Sequence, residues 1–191
     1  MNLYDLICAA QATDYDALEE LIKREQKSVY ASFCYLGAPN ESVSDLTQEA
    51  LFRMSKNIKN LKNPKLFKSW IGQIITHLFY DELRKKKKIP DALSIDSYWL
   101  NDDEEENCAL NICDTSLKPD EKTIGKELTD VIKDMICTLP ENFRIVIILR
   151  ELQGLSYEEI ANITKTNVGT VKSRIARART KLQEWLKPYV N

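Results

Sequence analysis

The apolar residues of this chain recur at steps of three and four positions, which is the pattern of helices that bury one face. No strand-like alternation with a period of two is sustained. The helical pattern is clear in residues 1–90 and in residues 135–191, whereas residues 91–134 show little periodicity up to Pro119. We therefore expect an all-α protein with two small helical domains, at 1–90 and 135–191, joined by a flexible linker at 91–134.

The first block predicts three helices. Leu18, Leu21 and Phe33 belong to one amphipathic pattern that ends in a Gly- and Pro-containing turn at residues 37–40. Pro64 closes a Lys-Asn repeat through which a helix cannot readily run, so residues 56–65 are expected to form a loop. The predicted bounds are, in chain order, Tyr15 to the turn at 37–40, a cap at Ser44 or Asp45 leading into residues 45–54, and Leu66 to about Lys87.

The last block predicts a helix-turn-helix. Ser156 and Glu159 have the spacing of a capping box that starts a short helix after Gly154. A tight turn at residues 165–167 then leads into a longer helix from Val168 to about Leu186. Two helices joined by a turn of three or four residues are typical of this DNA-binding motif.

The longer of these two helices divides by face. Its expected core positions are Val168, Val171, Ile175, Ala178 and Leu182. The opposite stripe carries Thr170, Ser173, Arg174, Arg177 and Lys181, with Lys172 and Arg179 at its flanks. Small hydroxyls beside long cations suit a helix that enters a major groove, bonds base edges and contacts phosphates.

Three polar surfaces of the first block are candidates for partner contacts. Lysines can follow a phosphate backbone, and amide, imidazole and phenol groups can bond or stack on unpaired bases. Taken singly, the first surface is better explained as solvated surface and the second equally well so, whereas the alignment of the third favours nucleic acid. They are the helix stripe Asp45, Gln48, Glu49 and Arg53; the basic loop with Asn57, Lys59, Asn60, Lys62 and Asn63; and the stripe Gln73, His77, Tyr80 and Arg84, which leads into Lys85.

Charge is segregated along the chain although the net charge is only −2. Residues 1–90 carry a net charge of +3, from 14 basic and 11 acidic residues. Residues 91–134 carry −9, from 4 basic and 13 acidic residues, and residues 135–191 carry +4, from 9 basic and 5 acidic residues. The acidic run at residues 101–107 is expected to be a solvated spacer, or alternatively a strip that mimics nucleic acid and covers a basic face.

Composition excludes several functional classes. No apolar run approaches the length of a membrane span, and the N-terminus lacks a signal-peptide pattern, so we expect a cytoplasmic protein that is not membrane-embedded. Five scattered cysteines and one histidine disfavour a disulfide framework or a metal site, and Cys108 and Cys113 lie in an acidic setting that disfavours a redox role. The absence of a Gly-rich phosphate loop and of a catalytic cluster predicts no cofactor, no small-molecule substrate and no enzymatic activity.

Three stretches together resemble the extracytoplasmic-function (ECF) sigma factors of bacterial RNA polymerase, within the sigma-70 family. They are Asp45-Leu46-Thr47-Gln48-Glu49-Ala50-Leu51-Phe52, Phe67-Lys68-Ser69-Trp70-Ile71 leading to Asp81-Glu82-Leu83-Arg84-Lys85, and Leu139-Pro140 through the segment 169–179. Their order and spacing cover nearly the whole chain. The resemblance implies a protein that binds core polymerase and directs initiation from promoters with a minus-ten and a minus-thirty-five element.

The resemblance also implies roles for the polar surfaces. The stripe Asp45, Gln48, Glu49 and Arg53 would bind the coiled-coil clamp of the large polymerase subunit, in a core polymerase that contains the subunits β and β′. The loop at residues 57–65 and the stripe Gln73, His77, Tyr80, Arg84 would hold the melted minus-ten strand, and the last helix would read the minus-thirty-five duplex. Many relatives are held inactive by an anti-sigma protein, often a membrane-bound one.

One residue departs from the family pattern. The family often has Asn four residues before the Asp of its Asp-x-Leu-Arg segment, where this chain has His77 before Asp81. We expect DNA binding with an altered or pH-sensitive base preference. The alternative function is a helix-turn-helix regulator that binds DNA without polymerase, in which the first block serves sensing or dimerisation.

Overall fold

The computed structural model describes residues 1–87 and 124–189, with the side chains of 1–85 and 129–189. The described residues form eight α-helices and contain no strand, which confirms the all-α prediction. The helices are α1 (Leu3–Gln11), α2 (Tyr15–Leu36), α3 (Asn40–Asn57), α4 (Phe67–Lys87), α5 (Ile124–Thr138), α6 (Glu141–Glu151), α7 (Tyr157–Thr164) and α8 (Val168–Leu186). Short 3-10 turns lie at Ile58–Asn60, Pro64–Leu66 and Lys187–Tyr189.

The start of α3 differs from the prediction. Pro39 is its N-cap residue, and the Pro39 carbonyl accepts from the backbone N–H of Ser42 at 2.8 Å and of Val43 at 3.0 Å. The prediction of a cap at Ser44 or Asp45 was therefore wrong, because both residues already lie inside the helix. The prolyl ring fixes φ near the helical range, which lets the helix begin directly after the Gly37 turn.

Two further boundaries came from the structure alone. Helix α1 begins after Asn2, whose side chain accepts from the backbone N–H of Asp5 at 2.8 Å, and it buries Leu6 and Ile7. Helix α5 begins at Ile124, within the stretch 91–134 that we assigned to the linker. The acidic run 101–107, Cys108 and Cys113 lie outside the described residues.

The helix-turn-helix is confirmed in detail. The Ser156 hydroxyl accepts from the Glu159 backbone N–H at 3.2 Å, and the Glu159 carboxylate accepts from the Ser156 backbone N–H at 2.8 Å, so the predicted capping box is complete. Lys165 ends α7 in the left-handed conformation. Asn167 then caps α8 by accepting from the Thr170 backbone N–H at 2.7 Å.

Helices α1–α4 and α5–α8 pack against each other through one continuous apolar core. Gly72 of α4 lies close to the C-terminal helices. A Cβ added there would lie 3.2 Å from Leu155, 3.3 Å from Leu149 and 3.5 Å from Ile163. The lack of a side chain at Gly72 lets the C-terminal helices pack directly on α4.

Polar groups are satisfied across the same contact. Arg144 of α6 donates to the carbonyl of Leu36, at the end of α2, at 2.8 Å. Its other terminal nitrogen donates to the carbonyls of Cys137 at 2.6 Å and Leu139 at 2.9 Å. One guanidinium therefore holds the C-terminal ends of α2 and α5 together, which supplies the donors that helix ends lack.

Candidate nucleic-acid and polymerase interfaces

The outward face of α8 presents a row of polar and cationic side chains. Ser173, Arg177 and Lys181 are exposed at steps of four, and Thr170 is half-buried at the N-terminal end of the row. The Ser173 hydroxyl donates to the carbonyl of Thr170 at 2.9 Å, which leaves its oxygen lone pairs on the outward side. The row has the length and chemistry to lie along a DNA groove.

Neighbouring helices position the cations at the edges of this row. The ammonium of Lys172 lies 5.8 Å from the ring centre of Tyr157 on α7, and that of Lys181 lies 5.6 Å from the ring of Phe143 on α6. These distances are within the range of cation–π attraction, which orders a long side chain without neutralising its charge.

Arg179 is already engaged within the protein. Its guanidinium donates to Glu151 of α6 at 2.6 Å and 3.1 Å, and this hydrogen bond raises the pKa of Arg179. Any phosphate contact made by Arg179 must therefore compete with a carboxylate. The predicted position at the flank of the row agrees with its exposure.

Arg174 is not on the outward face, so that prediction was wrong. Only 5% of the residue is exposed. It lies three positions after Val171 and next to Ile175, at the edge of the buried face of α8. The side chain contributes to the packing of the domain rather than to the exposed row.

The third predicted stripe, on α4, is only partly formed. Gln73, His77 and Arg84 are half-buried on one side of the helix, but Tyr80 is 1% exposed and its placement on this stripe was wrong. Tyr80 lies eight residues after Gly72, or about two helical turns, so both are on the same side of α4. This is the side that the C-terminal helices approach.

His77 lies among charged groups from three elements. Burial lowers the pKa of His77, Asp81 acts in the opposite direction, and Lys165, Arg53 and Arg84 lower the pKa further. The imidazole is therefore held neutral at pH 7, with one ring nitrogen able to donate and the other able to accept. Arg84 itself lies 3.4 Å from Asp81.

The backbone of the basic loop after α3 is hydrogen-bonded by Gln11, a residue that the sequence analysis did not identify. The side-chain amide of Gln11 donates to the carbonyls of Ile58 at 3.0 Å and Leu61 at 2.7 Å. No sequence signal identifies Gln11, because its partners are backbone groups far along the chain. The loop side chains Lys59, Asn60, Lys62 and Asn63 are exposed, and Asn57 is half-buried.

Two amides of the loop serve its own backbone. Asn57 donates to the Arg53 carbonyl at 2.9 Å, and the Asn63 side-chain oxygen accepts from the Lys65 backbone N–H at 3.0 Å. These bonds shape the loop on either side of Asn60. Lys85, at the far end of α4, is exposed.

The outward stripe of α3 is present as predicted. Asp45 and Gln48 are exposed, and Glu49 accepts from Arg53 at 2.7 Å in a half-exposed pair. The structure adds Phe52, which is 58% exposed beside this pair. An exposed aromatic ring beside polar groups can serve as an anchor in a protein contact.

None of the helices in the described parts of the chain is long and apolar enough to cross a membrane.

Two family comparisons match separate parts of the chain. Residues 21–89 match sigma-70 region 2, and residues 129–182 match sigma-70 region 4. Because both regions are present in order, the alternative of a helix-turn-helix regulator whose first block is a sensor is not supported.

Curated relatives match over nearly the full length. The chain is 31% identical to the ECF RNA polymerase sigma-E factor of Escherichia coli strain K12, over 97% of this chain and 94% of that protein. It is 33% identical to the ECF RNA polymerase sigma factor SigW of Bacillus subtilis strain 168, over 91% of each.

Solved structures show the same fold. CnrH in complex with the cytosolic domain of CnrY matches with a TM-score of 0.62 at 18% identity, over 97% of both chains. The sigma factor RpoE from Bartonella quintana, in complex with the anti-sigma factor NepR, matches with a TM-score of 0.63 at 23% identity, over 88% of this chain and 96% of that one. The chain belongs to the ECF sigma factors of the sigma-70 family, which direct promoter-specific initiation of transcription.

Proposed function

We propose that α8 reads the minus-thirty-five element in duplex form through Thr170, Lys172, Ser173, Arg177 and Lys181. The observation that carries this proposal is the exposed row on α8, oriented by the caps at Ser156 and Asn167 and lying within the region 4 match. Arg179 contacts a phosphate after it leaves Glu151. Arg174 positions α8 from the buried side.

The minus-ten element is read as a single strand. The exposed side chains of Lys59, Asn60, Lys62 and Asn63 bind the backbone and one unstacked base, and Asn57 shapes the loop. Gln73, neutral His77 and Arg84 bind the neighbouring melted bases on α4, with Lys85 on the phosphates. Trapping unpaired bases stabilises the open strand without consuming a nucleotide.

Core polymerase binds to the outward stripe of α3. Asp45, Gln48, Glu49 and Arg53 match the clamp-binding segment of the family, and Phe52 supplies an apolar side chain to be buried in that contact. The surface has charges of both signs around one aromatic residue, which suits a specific protein contact better than a phosphate backbone.

DNA binding needs a different arrangement of the two domains. By their names the two promoter elements lie about 25 base pairs apart, or roughly 85 Å along a duplex. In the structure α4 and α7 are in contact at Gly72 and Ile163. The packed arrangement is therefore a resting state, and the domains separate when the protein binds polymerase and promoter.

An anti-sigma protein is the proposed partner of this resting state. Both solved relatives named above are in complexes with a second protein, which is the cytosolic domain of CnrY in one and the anti-sigma factor NepR in the other. A partner that binds across α1–α4 and α5–α8 would favour the packed arrangement. The protein is proposed to act in the cytoplasm, where polymerase and promoters are found.

Run-off transcription tests the proposal. Core polymerase is incubated with a library of genomic fragments, with and without this protein, and every new start is mapped. New starts that share two elements at a fixed spacing support it. An absence of new starts would overturn it, provided that a control sigma factor activates the same core enzyme.

A further inference from the structure

Two cysteines meet where α2 and α5 end. Cys34 is in the last turn of α2 and Cys137 in the last turn of α5. The Cys137 thiol donates to the carbonyls of Cys34 and Tyr35, both at 3.9 Å. The two residues are 103 positions apart and belong to different domains, so this contact exists only in the packed arrangement.

The Cys137 sulfur lies close to the backbone of Cys34. Because a Cα lies about 2.4 Å from the carbonyl oxygen of its own residue, the Cα of Cys34 is at most about 6.3 Å from the Cys137 sulfur. Adding about 2.8 Å for the Cys137 side chain bounds the Cα–Cα distance at about 9 Å, against about 4.4–6.8 Å in disulfides. At the upper bound, the two helix ends must shift towards each other by about 2 Å for the bond to form.

The two thiols have different surroundings. Lys133, one helical turn before Cys137 on α5, acts electrostatically on the Cys34 thiol. Burial raises the pKa of Cys34, and Lys133 opposes this. Cys34 is half-buried, whereas Cys137 is 6% exposed. A small oxidant therefore reaches Cys34 first.

We propose that Cys34 and Cys137 form a reversible disulfide that locks the two domains in the packed arrangement. Arg144 prepares the site, since its guanidinium binds the C-terminal carbonyls of both helices. The consequence for transcription rests on the function proposed above, because a linked protein cannot span two promoter elements.

The chemistry balances with a peroxide as the oxidant. The Cys34 thiol releases its proton, and the thiolate attacks one oxygen of hydrogen peroxide. The O–O bond breaks to give a sulfenic acid and hydroxide, and the hydroxide takes up the released proton and leaves as water. The Cys137 sulfur then attacks the Cys34 sulfur, the S–O bond breaks, and a second water leaves with the Cys137 proton. A dithiol reductant reverses the link by thiol–disulfide exchange. In a reducing compartment such a bond is transient, as a sensor requires.

The test uses the full chain with Cys8, Cys108 and Cys113 replaced by serine, so that only the proposed pair remains. The protein is treated with hydrogen peroxide, and the linked peptides are identified by mass spectrometry without reduction. We expect a Cys34–Cys137 link that forms faster at pH 8.5 than at pH 7, because the reactive thiolate increases with pH. The matched control also contains two cysteines, Cys8 and Cys137, with Cys34, Cys108 and Cys113 replaced by serine. It should form no intramolecular link.

Function is measured on the same samples. Promoter-directed transcription with core polymerase should fall at least tenfold on oxidation and recover with dithiothreitol, while the C34S and C137S variants stay active. Failure to form the link, or a linked protein that transcribes normally, would overturn the proposal. A reduced protein that supports no transcription would instead count against the proposed function, and the mass spectrum would still decide the disulfide.

Discussion

The side-chain amide of Gln153 donates to the hydroxyl of Ser32 at 2.8 Å, across the contact between the two halves of the protein. The same nitrogen lies 3.1 Å from the hydroxyl of Ser28. Gln153 and Ser32 are both buried. These hydrogen bonds favour this packing, because burying the amide nitrogen without a partner would cost free energy.

Replacing Gln153 should loosen this contact. Gln153→Ala removes both hydrogen bonds and leaves a space, so we expect the free energy of unfolding to fall by about 1–3 kcal/mol. Urea denaturation measures the change, and amide hydrogen exchange should speed up in the segment 149–155. Gln26→Ala, at an exposed position of α2, is the control and should change stability by less than about 0.5 kcal/mol. Equal stability of the two variants would contradict this role of Gln153.

Phe52 should matter for polymerase and not for folding. Its side chain lies under the ammonium of Lys56, at 5.8 Å from the ring centre, and packs little with the core. Phe52→Ala should leave stability within about 0.5 kcal/mol. It should weaken binding to core polymerase by about 2 kcal/mol, or roughly thirtyfold, if the ring is buried in that contact.

Fluorescence anisotropy with labelled protein measures the polymerase affinity. The control is Tyr15→Ala, since Tyr15 is also exposed but lies on α2, away from the stripe on α3. A Phe52→Ala protein that binds core polymerase as tightly as Tyr15→Ala would show that the exposed ring has no part in that contact.

Local signals in the sequence were enough to predict the helix-turn-helix and the all-α class. The capping box at Ser156 and the cap at Asn167 depend on neighbouring residues only, and both were found. Tyr80 and Arg174 were placed wrongly because their burial depends on packing. Tyr80 is covered on the side of α4 that meets the C-terminal helices, and Arg174 lies at the edge of a face whose width the sequence does not reveal.

The contact between domains was beyond sequence reasoning. Gln153, Arg144 and Gly72 each act on partners more than 70 positions away. No periodicity or motif relates such positions, and a polar residue such as Gln153 looks like ordinary surface. Only the fold shows that these residues hold the two halves together.

His77 should make stability depend on pH. Burial lowers its pKa in the folded state, so the folded protein binds the proton less readily than the unfolded chain. Stability is therefore fully present above the unfolded pKa of about 6.5 and falls as the pH drops below it. His77→Asn removes this dependence, because the amide does not titrate.

Urea denaturation at pH 7.5 and pH 5.5 compares the two proteins. The wild type should lose more stability between these values than the variant, in which Asp81 and the nearby cations are retained. The same variant tests base preference: its start sites in the fragment library should shift in the minus-ten element. Identical pH profiles would show that His77 titrates as it does in the unfolded chain, and identical start sites would show that it reads no base.

Replacing Arg177 and replacing Arg174 should have different effects, although both residues lie on α8. The first change should affect DNA binding and the second should affect folding stability. Arg177 is exposed on the outward row of α8, so Arg177→Ala should reduce transcription from the cognate promoter about tenfold to a hundredfold, the usual loss for a base or phosphate contact, while stability changes by less than about 0.5 kcal/mol. Arg174 is buried, so Arg174→Ala should lower the free energy of unfolding by at least about 1 kcal/mol through lost packing.

Run-off transcription and urea denaturation are measured for both variants and for Lys187→Ala, an exposed cation beyond the end of α8 that controls for lost charge. Arg177→Ala should be the less active of the two variants, and Arg174→Ala should be the less stable. The order of activity and the order of stability should therefore differ. If Arg177→Ala transcribes as well as Lys187→Ala, the outward row of α8 does not read the minus-thirty-five element. If Arg174→Ala is as stable as Lys187→Ala and transcribes less, its guanidinium leaves the buried edge to bind DNA when the domains separate.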